Sequence, residues 1–253
     1  MENNVALALL LTAAAGLSTT FGSALAIAVR RPGRQLLSFT LGFSAGVMIL
    51  VSFVELLDQS IGSIGFLKAN VAFFLGIGAI FLVDALVPHE YIGQKDRPDS
   101  QARDPLIRTA LLTALGIGIH NFPEGMATFA GALEDTRLGM AIAVAIAIHN
   151  IPEGLAVSAP IYAATGSRRK AFLWSFLSGV SEPVGAALAA VILLPFLTQA
   201  VLGWVLAAVA GIMVFISLDE LVPAAKSFGS EHVPIIGVIA GMMVMALSLE
   251  LLK

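Results

Sequence analysis

The feature that most constrains the fold is a series of apolar runs, each long enough to cross a lipid bilayer. A transmembrane helix needs about 20 mainly apolar residues, and polar segments divide this chain into eight such runs. With 58% hydrophobic and only 12% charged residues, the composition excludes a soluble domain. The sequence predicts an all-α integral membrane protein, one transmembrane domain over residues 1–253. Its predicted spans 1 to 8 are residues 5–29, 36–57, 69–88, 106–131, 138–164, 171–197, 200–222 and 233–252.

The distribution of Lys and Arg predicts how these spans are oriented. Of the 14 basic residues, all but Lys68, Arg137 and Lys253 lie in the segments that follow spans 1, 3, 5 and 7 or, for Arg108, at the adjoining end of span 4. Cytoplasmic loops are enriched in basic residues, so we expect those segments in the cytoplasm and both termini outside. No basic patch suggests a nucleic-acid partner. The chain has no Cys, which excludes disulfides and thiolate ligands.

Two nearly identical hexapeptides lie in neighbouring spans. Span 4 contains His-Asn-Phe-Pro-Glu-Gly at 120–125, and span 5 contains His-Asn-Ile-Pro-Glu-Gly 29 residues later. In a helix, His120 and Glu124 share one face, as do His149 and Glu153. Ionisable groups at membrane depth are costly and usually functional. The alternative interpretation is that these polar groups only hydrogen-bond two helices together.

The residue types of the hexapeptides indicate a divalent metal. Imidazole with carboxylate suits Zn²⁺, Fe²⁺, Mn²⁺ or Co²⁺, and amide with carboxylate favours harder ions. Two carboxylates buried together would repel one another without a cation, so we predict that Glu124 and Glu153 bridge two ions. Pro123 and Pro152 cannot donate a backbone hydrogen bond, and we expect a bend at each.

Weaker repeats surround this pair. Residues 45–56 of span 2 resemble residues 210–221 of span 7 at an offset of 165, and residues 16–26 of span 1 resemble residues 179–189 of span 6 at an offset of 163. Because five spans separate the copies, they cross the membrane in opposite directions. We therefore predict a 3+2+3 inverted repeat, a common plan of secondary transporters. The alternative is chance recurrence of small-residue patterns.

One carboxylate breaks the repeat. Glu182 in span 6 aligns with Thr19 in span 1, so only one side of the predicted site gains a third acidic group. We predict that Glu182 joins Asn121 and Asn150 at a second metal position that differs from the first. The alternative is a protonated side chain that only hydrogen-bonds.

Five further residues lie on or near the predicted path. Met48 is interpreted as a packing residue or a soft ligand. The acidic side chains are interpreted either as groups that attract or relay cations or as solvated interfacial residues. These residues are Met48, Glu55, Asp84, Asp219 and Glu220.

With these features in place, the chain resembles the ZIP (Zrt/Irt-like) metal transporters over essentially all eight spans. The twin hexapeptide carries the resemblance, and residues 164–168 and 209–213 are similar to the bacterial zinc-uptake branch. The resemblance implies a 3+2+3 arrangement in a bacterial inner membrane and a binuclear midplane centre. It further implies uptake of Zn²⁺, with Fe²⁺, Mn²⁺ and Co²⁺, into the cytoplasm, and no prosthetic group. Members of the family are often homodimers.

The resemblance also implies roles for individual residues. His120, Glu124, His149 and Glu153 would form a zinc-preferring position. Asn121, Asn150 and Glu182, with the two bridging glutamates, would form a second position of iron type. Many relatives carry a His-rich loop between spans 3 and 4, whereas this chain has only His89 there.

Two other functions use similar residues. An intramembrane metal-dependent hydrolase also needs His and Glu, but the chain has no His-Glu-x-x-His motif, and hydrolysis would not explain an inverted repeat. A metal channel could share the ligands, and saturable rather than linear flux would distinguish a carrier from it. We therefore predict a transporter rather than an enzyme, with no nucleotide-driven step.

Overall fold

The computed structural model describes residues 2–29, 33–86, 104–193, 196, 198–228 and 231–252. The long elements in these ranges are all α-helical, and two π-helical segments join α2 to α3 and α8 to α9. The α-helices are α1 (Glu2–Val29), α2 (Arg34–Val51), α3 (Asp58–Ile64), α4 (Phe66–Leu86), α5 (Asp104–Glu134), α6 (Thr136–Thr165), α7 (Arg168–Leu193), α8 (Gln199–Ile216), α9 (Val222–Phe228) and α10 (Val233–Leu252). The π-helical segments are Ser52–Leu57 and Ser217–Leu221.

Within the described ranges, seven helical stretches are long and apolar enough to cross a membrane. They are α1, α2 with α3, α4, α6, α7, α8 with α9, and α10. The remaining long helix, α5, has 31 residues, contains the first hexapeptide and packs along α6 and α7. The prediction of an all-α, multi-pass membrane protein is confirmed.

The helices of spans 2 and 7 extend beyond their predicted ends at residues 57 and 222. They reach Ile64 and Phe228 because polar side chains end an apolar run without ending a helix. The first of these helices ends instead at Gly65, whose φ of +84° is a conformation that only glycine adopts readily. For span 6, α7 is described as far as Leu193, and residues 194, 195 and 197 at the predicted end of this span lie outside the described residues.

A tight hairpin joins α5 to α6. Only Asp135 separates the two helices, and its side chain accepts hydrogen bonds from the backbone N–H groups of Arg137 (2.8 Å) and Leu138 (3.1 Å). This is an N-cap, which satisfies donors at the start of α6. Gly139 packs directly on Ala132, where a Cβ would overlap the neighbouring helix. The hairpin therefore brings the two hexapeptides alongside each other.

The helices form two groups. In the central group, α1, α5, α6 and α7 pack against one another. In the flanking group, which includes α2, α3, α4, α8, α9 and α10, α2 packs on α10 and α4 on α8. Contacts of α2 with α6 and of α8 with α5 join the two groups.

Glycines in the hexapeptides bring the central helices close together. A Cβ on Gly125 would overlap the carbonyl oxygen of Glu182, and a Cβ on Gly154 would overlap that of Thr19. Small residues allow such close backbone approach between membrane helices. The helix that carries Glu182 is thereby held directly against the first hexapeptide.

Candidate metal site

The candidate ligands cluster inside the central group. The structure places Asn121 and Glu124 on α5, Glu182 on α7 and the second hexapeptide on α6. His120 lies in α5, but its side chain is outside the described residues. The described candidate side chains are all fully buried: Asn121, Glu124, His149, Asn150, Glu153 and Glu182.

Each helix continues through the proline beside its candidate ligands. Pro123, Pro152 and Pro183 all lie inside helices. A proline within a helix leaves the carbonyl four residues earlier without its usual N–H donor. The continuous helices keep the i,i+3 and i,i+4 spacing of the motif, so its polar side chains share one edge. The predicted bends remain predictions.

The first pair of candidate ligands joins the two hexapeptides. Glu124 Oε1 of α5 lies 3.3 Å from His149 Nε2 of α6. Beside them, the hydroxyl of Ser44 in α2 donates to Glu153 Oε1 at 3.2 Å. Glu124 and His149, predicted from the sequence to share a position, are in contact.

The amides connect the hexapeptides to the neighbouring helices. Asn150 Nδ2 donates to Glu182 Oε1 and, at 3.0 Å, to the carbonyl of Ala15. Asn121 Nδ2 donates to the carbonyl of Ser178, one turn before Glu182 on α7, at 3.3 Å. Asn150 and Glu182 are thus in contact, and Asn121 reaches the same helix.

Several oxygens in this cluster remain available as acceptors. Within the described part of the chain, Asn121 Oδ1, Glu124 Oε2, Asn150 Oδ1 and Glu182 Oε2 are buried and accept no hydrogen bond. Such an acceptor costs about 1–3 kcal/mol when it is left unsatisfied. Amide and carboxylate oxygens are also ligands for divalent cations. A bound cation would satisfy them and offset the repulsion among three carboxylates.

The described candidate ligands do not form a compact group of three ionisable side chains. Among the described side chains, no three His, Asp or Glu groups converge closely enough to hold a metal ion by themselves. The amide oxygens of Asn121 and Asn150 lie in the same buried cluster and are further candidate ligands.

The weaker candidates lie outside these contacts. Met48 is fully buried in the hydrophobic core, which favours its interpretation as a packing residue. Glu55 lies in the first π-helical segment, Asp219 and Glu220 lie in the second, and Asp84 lies in α4. Their proposed roles along a path remain predictions. His89 and its loop are outside the described residues.

The sequence did not lead us to predict that Ser44 and two main-chain oxygens contact the candidate ligands. Ser44 is fully buried, and its hydroxyl reaches Glu153 from a different helix group. A signal was present, because Ser44 is a polar residue in an apolar span and its repeat partner at the offset of 165 is Val209. The carbonyls of Ala15 and Ser178 carry no such signal, since every residue has one.

Comparison with known proteins shows the family of the chain. Residues 88–249 match the family model described as ZIP Zinc transporter. The chain is 54% identical to the zinc transporter ZupT of Chlorobium phaeovibrioides, over 99% of both chains. It is 52% identical to ZupT of Nitratidesulfovibrio vulgaris, over 99% of this chain and 98% of that one. It is 48% identical to ZupT of Clostridium perfringens, over 98% and 97%. The chain therefore belongs to the ZIP family of zinc transporters and is a transporter rather than an enzyme.

Proposed function

We propose that this protein carries Zn²⁺ across the bacterial inner membrane into the cytoplasm through a binuclear site in the central group, and that Fe²⁺, Mn²⁺ and Co²⁺ are further substrates. One observation carries the proposal. Three fully buried carboxylates, Glu124, Glu153 and Glu182, lie on three adjacent helices among amide and imidazole groups. Burying that much negative charge without a cation would be strongly unfavourable.

The proposed site has two unlike positions. The contact between Glu124 and His149 supports a first position completed by His120 and Glu153. The hydrogen bond from Asn150 to Glu182, and the approach of Asn121 to α7, support a second position with more oxygen ligands. Imidazole favours Zn²⁺, whereas amide and carboxylate oxygens admit harder ions. The second position is therefore the proposed route for Fe²⁺ and Mn²⁺.

We further propose that the chain is one transporter domain of eight spans, arranged as a 3+2+3 inverted repeat. Reciprocal packing supports this. Gly46 of α2 packs on the carbonyl of Val238, and Gly211 of α8 packs on that of Phe73. The two glycines are repeat partners at the offset of 165, and so are the two residues whose carbonyls they contact.

The same reciprocity occurs in the central group. Gly22 packs on the carbonyl of Ile151, and Gly185 packs on that of Phe122. Gly16 and Gly179, repeat partners at the offset of 163, pack on each other. An inverted repeat allows two similar conformations that open to opposite sides, which is the basis of alternating access.

The proposed orientation follows the basic residues and places both termini outside the cytoplasm. Zn²⁺ would reach the buried carboxylates after losing part of its hydration shell and would leave toward the side rich in Lys and Arg. A homodimer is the proposed assembly, by analogy with the family. The lipid bilayer is the other proposed partner, because α4 and α10 expose large apolar side chains.

The test is ⁶⁵Zn uptake into vesicles that contain the purified protein. We expect Glu124→Ala and Glu153→Ala each to abolish saturable uptake, because each removes a charged ligand from a fully buried site. Glu231→Ala is the matched control, since Glu231 is an exposed carboxylate outside the site, and it should transport normally. Normal saturable uptake by both site variants would refute the assignment. Uptake that rises linearly with concentration in the unmodified protein would refute a carrier.

A further inference from the structure

The hydroxyl of Ser44 contacts a candidate ligand from outside the central group. Ser44 is fully buried on α2, and its Oγ lies 3.2 Å from Glu153 Oε1 and 3.4 Å from the carbonyl oxygen of His149. Both acceptors belong to the second hexapeptide on α6. This contact therefore joins the flanking group to the ligand-bearing helix at the level of the site.

The chemistry of the hydroxyl favours the carboxylate as its acceptor. Serine has one hydroxyl proton and can donate one full hydrogen bond at a time. A hydrogen bond to a carboxylate is about twice as strong as one to a neutral acceptor, and Glu153 Oε1 is also the nearer atom. The bond restricts the rotamers of the Glu153 side chain, so less conformational entropy is lost when a cation binds.

At the repeat position of Ser44, the other half of the molecule carries no hydroxyl. The repeat partner of Ser44 is Val209 on α8, which is buried and cannot donate a hydrogen bond. The partner of Glu153 is Glu124, whose Oε2 accepts no hydrogen bond from the described residues. The two bridging carboxylates are therefore positioned differently, although their hexapeptides are nearly identical.

We propose that Ser44 is a positioning residue that holds Glu153 ready for the cation and so raises the affinity of the site. The proposal rests on the proposed function, because it assumes that Glu153 binds the transported ion. A residue that orients a metal ligand through a hydrogen bond typically changes metal affinity by 10- to 100-fold when it is mutated. Since Ser44 does not bind the ion itself, its loss acts on binding more than on the maximal rate.

The test compares Ser44→Ala with Ser44→Thr and Val209→Ala in ⁶⁵Zn uptake. We expect Ser44→Ala to raise KM about tenfold with little change in the maximal rate. Ser44→Thr keeps the hydroxyl and should restore most of the affinity. Val209→Ala removes a buried apolar side chain at the repeat position and should leave KM unchanged. Zn²⁺ titration of the purified proteins should give the same order of dissociation constants.

The outcomes separate this inference from the proposed function. An unchanged KM in Ser44→Ala, with Glu153→Ala inactive, would overturn the positioning role and leave the metal site intact. Equal increases in KM for Ser44→Ala and Val209→Ala would also overturn it, because packing alone would explain them. If Ser44→Ala does not fold, a tenfold weaker affinity in Ser44→Thr would show that the hydroxyl alone is insufficient and would equally reject the proposal. Normal uptake by Glu153→Ala would instead remove the proposed function.

Discussion

The central and flanking groups of helices bury different kinds of polar side chain. In the described chain, every buried carboxylate, imidazole and side-chain amide lies on α5, α6 or α7. The polar side chains buried in the flanking group are hydroxyls only. These are Ser38, Ser44, Ser52, Ser60 and Ser217. The free-energy cost of burying ionisable and amide groups at membrane depth is therefore concentrated in the central group, where a bound cation would offset it.

The two groups also use hydrogen bonds differently. In the flanking group, Ser60 donates to the carbonyl of Gly203 at 2.7 Å and Ser63 donates to that of Gln199 at 2.9 Å. Such bonds to the main chain hold α3 on α8 whatever occupies the site. In the central group, side chains also donate to carbonyls, as Asn121 does to Ser178, but here two site side chains bond to each other as well, Asn150 to Glu182. Those contacts must rearrange when the same oxygens bind an ion.

The largest expected effect comes from filling the close contacts of the central group. Gly154→Val would place a branched side chain against the carbonyl of Thr19, and backbone cannot move aside as a side chain can. Overpacking typically costs about 1–3 kcal/mol and occasionally more, so we expect loss of folded protein. Thermal unfolding in detergent and the amount of folded protein on size exclusion measure this.

The control for that variant is Gly78→Ala on α4, where a Cβ would meet nothing within 4 Å. It should fold and transport as the unmodified protein does. In the flanking group, Gly46→Val meets the carbonyl of Val238 and should be as damaging as Gly154→Val. If Gly154→Val folded normally, the close packing of the central group would not be needed for stability.

The next effect distinguishes the two proposed metal positions. Of the three carboxylates in the candidate site, only Glu182 has no acidic repeat partner, and Glu182→Ala removes it and leaves Asn150 without that acceptor. We expect Fe²⁺ uptake to fall by about tenfold or more and Zn²⁺ uptake to fall less, because imidazole at the first position is retained. Competition between ⁵⁵Fe and ⁶⁵Zn in the same vesicles measures the change in selectivity. Equal loss of both metals would argue against two distinct positions.

The sequence predicted a helix well wherever the helix and the apolar run have the same ends. It gave the wrong end where the helix continues into polar residues. The helix of α2 and α3 continues through the polar residues Asp58 and Gln59, because only Gly65 provides the conformation that ends it. The two π-helical segments carried no recognisable signal. Each begins at a serine whose hydroxyl donates to the carbonyl four residues earlier, as Ser52 does to Met48 and Ser217 to Met213.

For the site, repetition in the sequence indicated the ligands but not their supports. The twin hexapeptide predicted that Glu124 and His149 would meet, and they lie 3.3 Å apart. The contact between Asn150 and Glu182 was expected because a carboxylate interrupts the repeat. Ser44 depends on how α2 packs against α6, and spacing along one helix carries no information about such a contact.

The smallest expected effect lies at an end of the flanking group. Arg34, the first residue of α2, donates through its guanidinium to the carbonyls of Ser227 (3.1 Å) and Phe228 (3.3 Å) at the end of α9. A cation at a helix C-terminus satisfies carbonyls that have no partner within the helix. Because the side chain is exposed, we expect Arg34→Ala to lower the Tm by only a few degrees and to leave the KM for Zn²⁺ unchanged.

Arg169→Ala is the matched control for this variant. It also removes one exposed positive charge beside a membrane span, but the residue lies on α7 and not at the contact between α2 and α9. Equal Tm values for Arg34→Ala and Arg169→Ala would show that the contact between α2 and α9 adds nothing to stability. A raised KM in Arg34→Ala at an unchanged Tm would have a wider consequence. Affinity at the central carboxylates would then depend on a contact at the end of the flanking group, and the two groups could not be treated as separate parts in binding the ion.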